Sequence, residues 1–198
     1  GHAKAIQNMG IVHYELGRPQ EAAAWAERAI TLLPDSAEAH NNRGNALLQC
    51  GDRAGAEAAY QDAARRDPDD AQVRLNLGGI ALFRGEYKVG WAGLRWRFKA
   101  NNPRSRNIRI AREWDGQILQ GATILVYAEQ GVGDEVMLSG LLRSLQNEGA
   151  QLVLECDDRL APLFQRGFPT VVVKGRYQRG DESWLAELPP IDQQVSIF

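Results

Sequence analysis

Residues 34 positions apart match one another through the first hundred positions of the chain, with no gap in the register. Gly10, Gly44 and Gly78 coincide, as do Gly17, Gly51 and Gly85, while Ala22 and Ala56 align with Gly90. Ala29 matches Ala63, and Pro34 matches Pro68. A period of this size describes one small unit stacked on copies of itself, because a single unit cannot bury its own apolar face. Gly17 and Gly51 are placed to end a first helix, and Pro34 and Pro68 to stop a second. Each unit therefore reads as a helical hairpin, with alanines where its helices must approach closely.

The period is that of tetratricopeptide repeats. The third copy departs from the first two: its second helix reads Tyr87-Lys-Val-Gly-Trp91-Ala-Gly-Leu-Arg-Trp96-Arg97-Phe98, with Arg97 where the earlier copies carry alanine. Aromatic bulk there suits an end cap, or a surface on which Trp91, Trp96 and Phe98 dock the array against the following segment.

Three segments are expected: repeats over 1–98, a connector over 99–121 and an α/β segment over 122–198. The connector opens with Asn101-Asn-Pro103 as a helix stop. It then carries Arg104, Arg106, Arg109 and Arg112 before the acidic Glu113. A solvated linker is one reading of that stripe, and a contact with an anion or nucleic acid is the alternative. From Ala122 the pattern alternates. Strands are expected at 123–128, 151–156, 170–174 and 195–198, with helices at 134–148 and 158–166. Such alternation favours parallel strands, so the fold class is multidomain: an all-α repeat array followed by a partial, Rossmann-like α/β domain.

Bulk properties narrow the partners. With Lys+Arg at 23 and Asp+Glu at 25, no global field favours nucleic acid or an anionic membrane. Cys50 and Cys156 belong to no Cys-x-x-Cys pair, which argues against a zinc site or a disulfide framework and fits the cytoplasm. No stretch has the length of a membrane-spanning helix. The chain reads as a piece of a longer protein, its last strand still in progress at Phe198. A sheet ending there would leave an unpaired edge through which two copies could associate.

The stretch Glu129-Gln-Gly-Val-Gly-Asp-Glu135 forms a glycine turn between a buried strand and a helix. It lacks the third glycine of a dinucleotide fingerprint, and Asp134-Glu135 would repel a phosphate at the helix start. It also lacks the Gly-Lys-Ser/Thr of a phosphate-binding loop. Asp134 is left as a helix N-cap or a functional carboxylate, and Glu129 could face the same crevice at the strand end. His13 and His40 have no metal-ligand partners at suitable spacing, so no metal site is expected. Ser139 lacks the context of a hydrolytic nucleophile.

Taken with Gly90-Trp91 to Trp96, Trp114-Asp-Gly-x-x-Leu119-x-Gly121, Ile124-Leu-Val, Leu154-Glu-Cys and Arg159 to Pro169, that turn resembles bacterial repeat proteins with a glycosyltransferase-like C-terminal region of the family 9, heptosyltransferase type. The resemblance implies a GT-B architecture, of which this chain would hold the acceptor-side half. It implies Asp134 as general base, Glu129 as a secondary candidate, and Gln130, Gly131 and Gly133 as the substrate loop. A sugar nucleotide would belong to the full-length protein, and this piece alone would hold no cofactor and be inactive. A non-catalytic adaptor is the alternative.

Repeat proteins of this kind present a peptide-binding face, which the resemblance implies is concave. Asn8, Asn42 and Asn76 recur at one position of each first helix, although asparagine is a poor helix-interior residue. Lys4, Asn8, Ile11 and Glu15 share a helix face, as do Glu38, Asn42, Asn45 and Gln49. The asparagines could grip an extended peptide backbone, with Lys4 and Glu38 adding selectivity, or they could bond repeat to repeat.

Overall fold

Helix-starting and helix-stopping residues recur in step with the repeat, and the helices follow them. The computed structural model describes residues 2–100, 110–117, 120–129, 131–176 and 183–197. The chain divides into two units, Gly1–Asn102 and Pro103–Phe198. Arg104, Arg106, Arg109 and Gln130 lie outside the described residues.

The first unit consists of α1 (His2–Glu15), α2 (Pro19–Leu32), α3 (Ala37–Gln49), α4 (Arg53–Arg66), α5 (Ala71–Phe83) and α6 (Tyr87–Leu94), then a 3₁₀ turn at Arg95–Phe98. Gly17, Gly51 and Gly85 end the first helix of each hairpin with φ of 68°, 85° and 78°, a backbone region that side-chain-bearing residues avoid. Ser36 caps α3 by accepting from Ala39 N at 3.2 Å, and Asp52 caps α4 by accepting from Gly55 N at 2.9 Å. Asp70 accepts from Gln72 N and Val73 N at the start of α5. The prolines that stop the second helices leave carbonyls that the next hairpin satisfies. Pro34 O pairs with His40 Nε2 at 3.0 Å and accepts from Arg66 Nε at 2.8 Å, while Pro68 O accepts from Arg74 Nε at 2.8 Å. His40 and Arg74 are repeat equivalents, so the same joint is made twice with different chemistry.

The second helices α2 and α4 bury stripes of alanine. Ala22, Ala26 and Ala29 are at most 3% exposed, and Ala56, Ala59 and Ala63 are fully buried. Across those stripes pack Ala39 of α3 and Ile80 of α5. The three matching glycines of the first helices have different neighbours. A methyl group on Gly44 would meet the Tyr60 ring at 2.4 Å, and one on Gly78 would meet the Gly93 backbone at 2.8 Å. On Gly10 its nearest neighbour would be Trp25 Cβ at 3.5 Å, an ordinary contact. In the third hairpin, Arg97 occupies the position of the buried alanines and is itself buried, its Nη1 donating to Leu94 O at 3.0 Å with the guanidinium over the Phe98 ring.

The second unit is a five-stranded parallel sheet in the order β1-β5-β2-β3-β4, with β1 Arg112–Glu113, β2 Thr123–Ala128, β3 Gln151–Asp157, β4 Val172–Arg176 and β5 Gln193–Ile197. Ile124, Val126, Leu152 and Leu154 face one layer, packed with Leu142, Leu145 and Phe164 of the helices. Leu125, Tyr127 and Val153 face the other, covered by Trp184 of the 3₁₀ segment Ser183–Glu187. The helical array is thus followed in the chain by a small parallel sheet.

Three local expectations change. The connector contributes β1, whose neighbours Ile110 N and Ala111 N donate to Gln194 Oε1, so this stretch is part of the sheet as well as a link. The helix expected at 134–148 is two, α7 (Val132–Leu138) and α8 (Gly140–Asn147), parted where Ser139 Oγ donates to Val136 O and glycine follows. The last strand, β5, is paired on both sides, and the edges among the described residues are β1 and β4.

Gly10→Ala and Gly44→Ala should move the first unit's melting in opposite directions. The first gains helix propensity, about 0.5–1 kcal/mol, without a clash. The second forces the buried Tyr60 ring to move and costs about 1–3 kcal/mol. Thermal denaturation followed by helix circular dichroism distinguishes them, and equal shifts would refute the packing difference.

Candidate functional site

The first unit brings its polar residues together along the face shared by α1, α3 and α5. Lys4 Nζ donates to Glu38 Oε2 at 2.8 Å and Oε1 at 3.0 Å, so the two predicted selectivity residues hold each other across a repeat joint. Both are well exposed, and such a pair contributes at most about 1 kcal/mol. It opens easily.

The three repeated asparagines do three different things. Asn76 Nδ2 donates to Asn41 Oδ1 at 2.9 Å and Asn45 Oδ1 at 3.2 Å, while its own Oδ1 accepts from Gln72 at 2.9 Å. Asn45 Oδ1 also accepts from the Tyr60 hydroxyl at 2.8 Å. Burial holds that phenol well above its usual pKa, so it stays a donor at all ordinary pH. Asn8 is exposed. Asn42 is half-buried, and its Nδ2 is shielded from water with no hydrogen-bond partner. A donor amide in that state is costly alone and well placed for an incoming carbonyl.

Sequence reasoning did not single out Gln7 and Asn41, one repeat apart and both buried. Gln7 Nε2 donates to Ser36 Oγ at 3.0 Å and Asn41 accepts from Asn76. The signal was available in their 34-residue spacing as a second polar pair beside the asparagine row.

In the second unit, charge collects at the carboxyl ends of the parallel strands. Strand order reverses at β2, whose neighbours are β5 on one side and β3 on the other. The crevice beside such a point is where open α/β sheets take their ligands. Glu129, just after β2, is 3% exposed and accepts from Ser196 Oγ of β5 at 2.7 Å. Gly131 caps α7, so Asp134 stands one turn inside the helix and is not its N-cap. Its Oδ2 accepts from Gly131 N at 3.3 Å. Glycine at that cap moves the helix start back to Val132, leaving the carboxylate to serve its own helix end.

The buried carboxylate of the acidic pair is Glu135, at 3% exposure. Its Oε2 accepts from Asp157 N at 2.8 Å, and its Oε1 lies 3.6 Å from Arg176 Nη2. Arg176 Nη1 lies 3.3 Å from Glu155 Oε1 and donates to Ala128 O at 3.3 Å. Glu155 Oε2 in turn accepts from Ala128 N at 2.9 Å. One guanidinium thus ties together the ends of β2, β3 and β4 with α7. Beside it Ser139, Cys156 and Phe164 line a crevice too tight to admit water. The signal for Glu155 was its place within the otherwise apolar run Leu152-Val-Leu-Glu-Cys. Among the described residues no group of three or more His, Cys, Asp or Glu could hold a metal ion. Arg112, the described member of the basic stripe, pairs with Asp115 at 2.6 Å.

Residues 13–77 match the family model of the tetratricopeptide repeat. Protein FlbA of Caulobacter vibrioides is 34% identical over 176 residues, covering 83% of this chain and 29% of that protein. Tetratricopeptide repeat protein 36 of Mus musculus is 36% identical over 88 residues, covering 42% of this chain and 47% of that one. The chain thus spans less than half the length of these curated relatives. Among solved structures, the second TPR of Spaghetti (RPAP3) bound to an HSP90 peptide is similar with a TM-score of 0.46 at 18% identity, covering 50% of this chain and 92% of that one. The Yersinia enterocolitica chaperone SycD with a peptide of the translocator YopD gives 0.45 at 18%, covering 50% and 78%. The first unit is a helical array of the tetratricopeptide-repeat type. Among the described residues no helix is long and apolar enough to cross a membrane.

Burial raises the Glu135 pKa above the ordinary glutamate range, outweighing the lowering by the Asp157 amide and Arg176. The folded state therefore binds a proton more readily than the unfolded one. Its contribution to stability is full below the ordinary glutamate pKa and is lost as pH rises through the elevated value. Asp157, held down at about 2 by Arg159, behaves oppositely and loses its contribution only in strong acid. In a Cys50→Ser background, labelling of buried Cys156, normalised at each pH to the denatured chain, should slow on acidification from pH 8 to 5. Glu135→Gln should flatten that trend. Arg176→Met leaves two buried carboxylates without their cation, costing about 3 kcal/mol, and should speed normalised labelling roughly 100-fold at pH 7.

Proposed function

We propose that the helical unit binds an extended peptide segment of a partner protein along the face shared by α1, α3 and α5. The observation that carries this reading is the shielded, partnerless Asn42 amide in a row whose next member, Asn76, is fully engaged within the scaffold. Asn42 would donate to a peptide carbonyl, exposed Asn8 would extend the row, and Lys4 and Glu38 would part to meet charges on the ligand. Asn45 and Asn76 would hold the face in shape. A backbone-directed grip of this sort has little sequence preference of its own.

The test is a peptide array probed with the whole chain, its hits then titrated against variants. Asn42→Ala should weaken the hits about 5–10-fold, the worth of one hydrogen bond, with melting almost unchanged. Asn76→Ala should lower stability by about 1–2 kcal/mol, because buried Asn41 loses the Asn76 donor and Asn45 keeps only the Tyr60 hydroxyl. Equal behaviour of the two variants would overturn the division of labour.

A second reading concerns the α/β unit and is favoured by the position of Glu129, Gly131, Gly133 and Asp134 at the strand-order reversal. In it, a longer parent protein transfers a sugar from a nucleotide donor to an acceptor hydroxyl. This unit would hold the acceptor and Asp134 would receive the proton. The bond from Gly131 N fixes the orientation of the Asp134 carboxylate, so positioning would be its larger contribution. The donor would be held elsewhere in the parent. Calorimetric titration of this chain with sugar nucleotides should show no tight binding, and micromolar affinity would contradict that assignment.

A further inference from the structure

The outer side of α1 is apolar where the end of a repeat array is ordinarily polar. Ala5, Met9, Val12 and Leu16 fall at i, i+4, i+7 and i+11, one line along the helix. Met9 is 39% exposed, Val12 49% and Leu16 61%, and Ala5 is exposed as well.

The same molecule shows twice what such a line is for. One repeat on, the equivalents of Ala5 and Val12 are Ala39 and Ala46, both fully buried; two repeats on, they are Val73 and Ile80, at 0% and 4%. Ala39 packs on Ala29 of α2, and Ile80 packs on Ala56 and Tyr60 of α4. In each case the cover is the alanine-striped second helix of the preceding hairpin.

We propose that the outer line of α1 is a stacking socket for one more hairpin of the 34-residue class, joined in tandem ahead of α1 and presenting an alanine stripe. A second copy of this chain fits poorly, since the stripes of α2 and α4 are already covered, and α6 with the 3₁₀ turn after it carries Gly90, Leu94 and Arg97 in their register. The socket also specifies its occupant more finely. The internal joints carry ion pairs, Arg43 with Glu27 at 3.4 Å and Arg84 with Glu57 at 2.7 Å. In α1 the positions of those arginines are Met9 and Leu16. The matching helix therefore favours apolar residues where α2 and α4 bear Glu27 and Glu57, because a carboxylate there would face Met9 or Leu16 with no cation to pair with.

The experiment grafts a copy of residues 3–36, with its Glu27 counterpart changed to Leu, ahead of Ala3 in the full chain, keeping the 34-residue register. The melting temperature of the helical unit should rise by at least about 5 °C. A second graft retaining Glu at that place should gain less. Val12→Lys should abolish the gain in the grafted protein while leaving the ungrafted chain's melting almost unchanged. No rise in either graft, or an equal effect of Val12→Lys with and without the graft, would overturn the proposal. So would sedimentation showing an ungrafted dimer that Val12→Lys disperses, for then the face belongs to a second copy.

Discussion

How near two helices can come when only alanine or glycine stands between them governs the whole helical unit. Each small side chain offers little apolar surface, so a long stripe of them must be packed without gaps before dispersion and burial outweigh chain entropy. The stripes Ala22-Ala26-Ala29 and Ala56-Ala59-Ala63 meet that condition, with larger groups such as Tyr60 filling what remains. At Gly44 and Gly78 the approach leaves no room even for a methyl group. A scaffold this tightly packed holds its first helices in fixed order. That order turns a recurring asparagine into a row facing one way.

Polar chemistry plays a different part in each unit. Along the helical face, amides bond repeat to repeat beside an exposed ion pair, and one amide is left with no partner. In the α/β unit the charged groups are buried and mutually constrained. Arg176 reaches two carboxylates and a strand-end carbonyl, so the carboxyl edge of the sheet is fastened by charge as well as by its hydrogen-bonded ladder. Removing water from these groups is expensive, and the Arg176 guanidinium with the Asp157 and Ala128 amides offsets part of that cost. Ligand chemistry on this edge would fall to groups nearer the surface, Gly131, Gly133 and Asp134.

Particular residues show how much could be read beforehand. The 34-residue register, the turn glycines, the alanine stripes and strand β2 are all local patterns, and they appear in the structure where the pattern places them. The break at Ser139 and Gly140 was within reach, since a hydroxyl beside a glycine weakens a helix interior. The edge strand Arg112–Glu113 was not, because two residues carry no periodicity and owe their conformation to the neighbouring β5. The acidic pair Asp134-Glu135 shows the same limit. Both carboxylates sit at a helix start, yet one faces the loop and the other is buried, according to where the first turn begins.

The sequence alone determined that hairpins repeat, where the helices of the repeats stop, and that a parallel α/β segment follows. These depend on short-range sterics and on spacing, which any stretch of chain carries within itself. Only tertiary structure decided that Asn8, Asn42 and Asn76 would differ, that Glu135 rather than Asp134 would be buried against Arg176, and that Val12 would stand uncovered while Ala46 and Ile80 do not. Those outcomes depend on which distant group comes within 3 or 4 Å of a side chain, and identical local patterns carry no record of their neighbours.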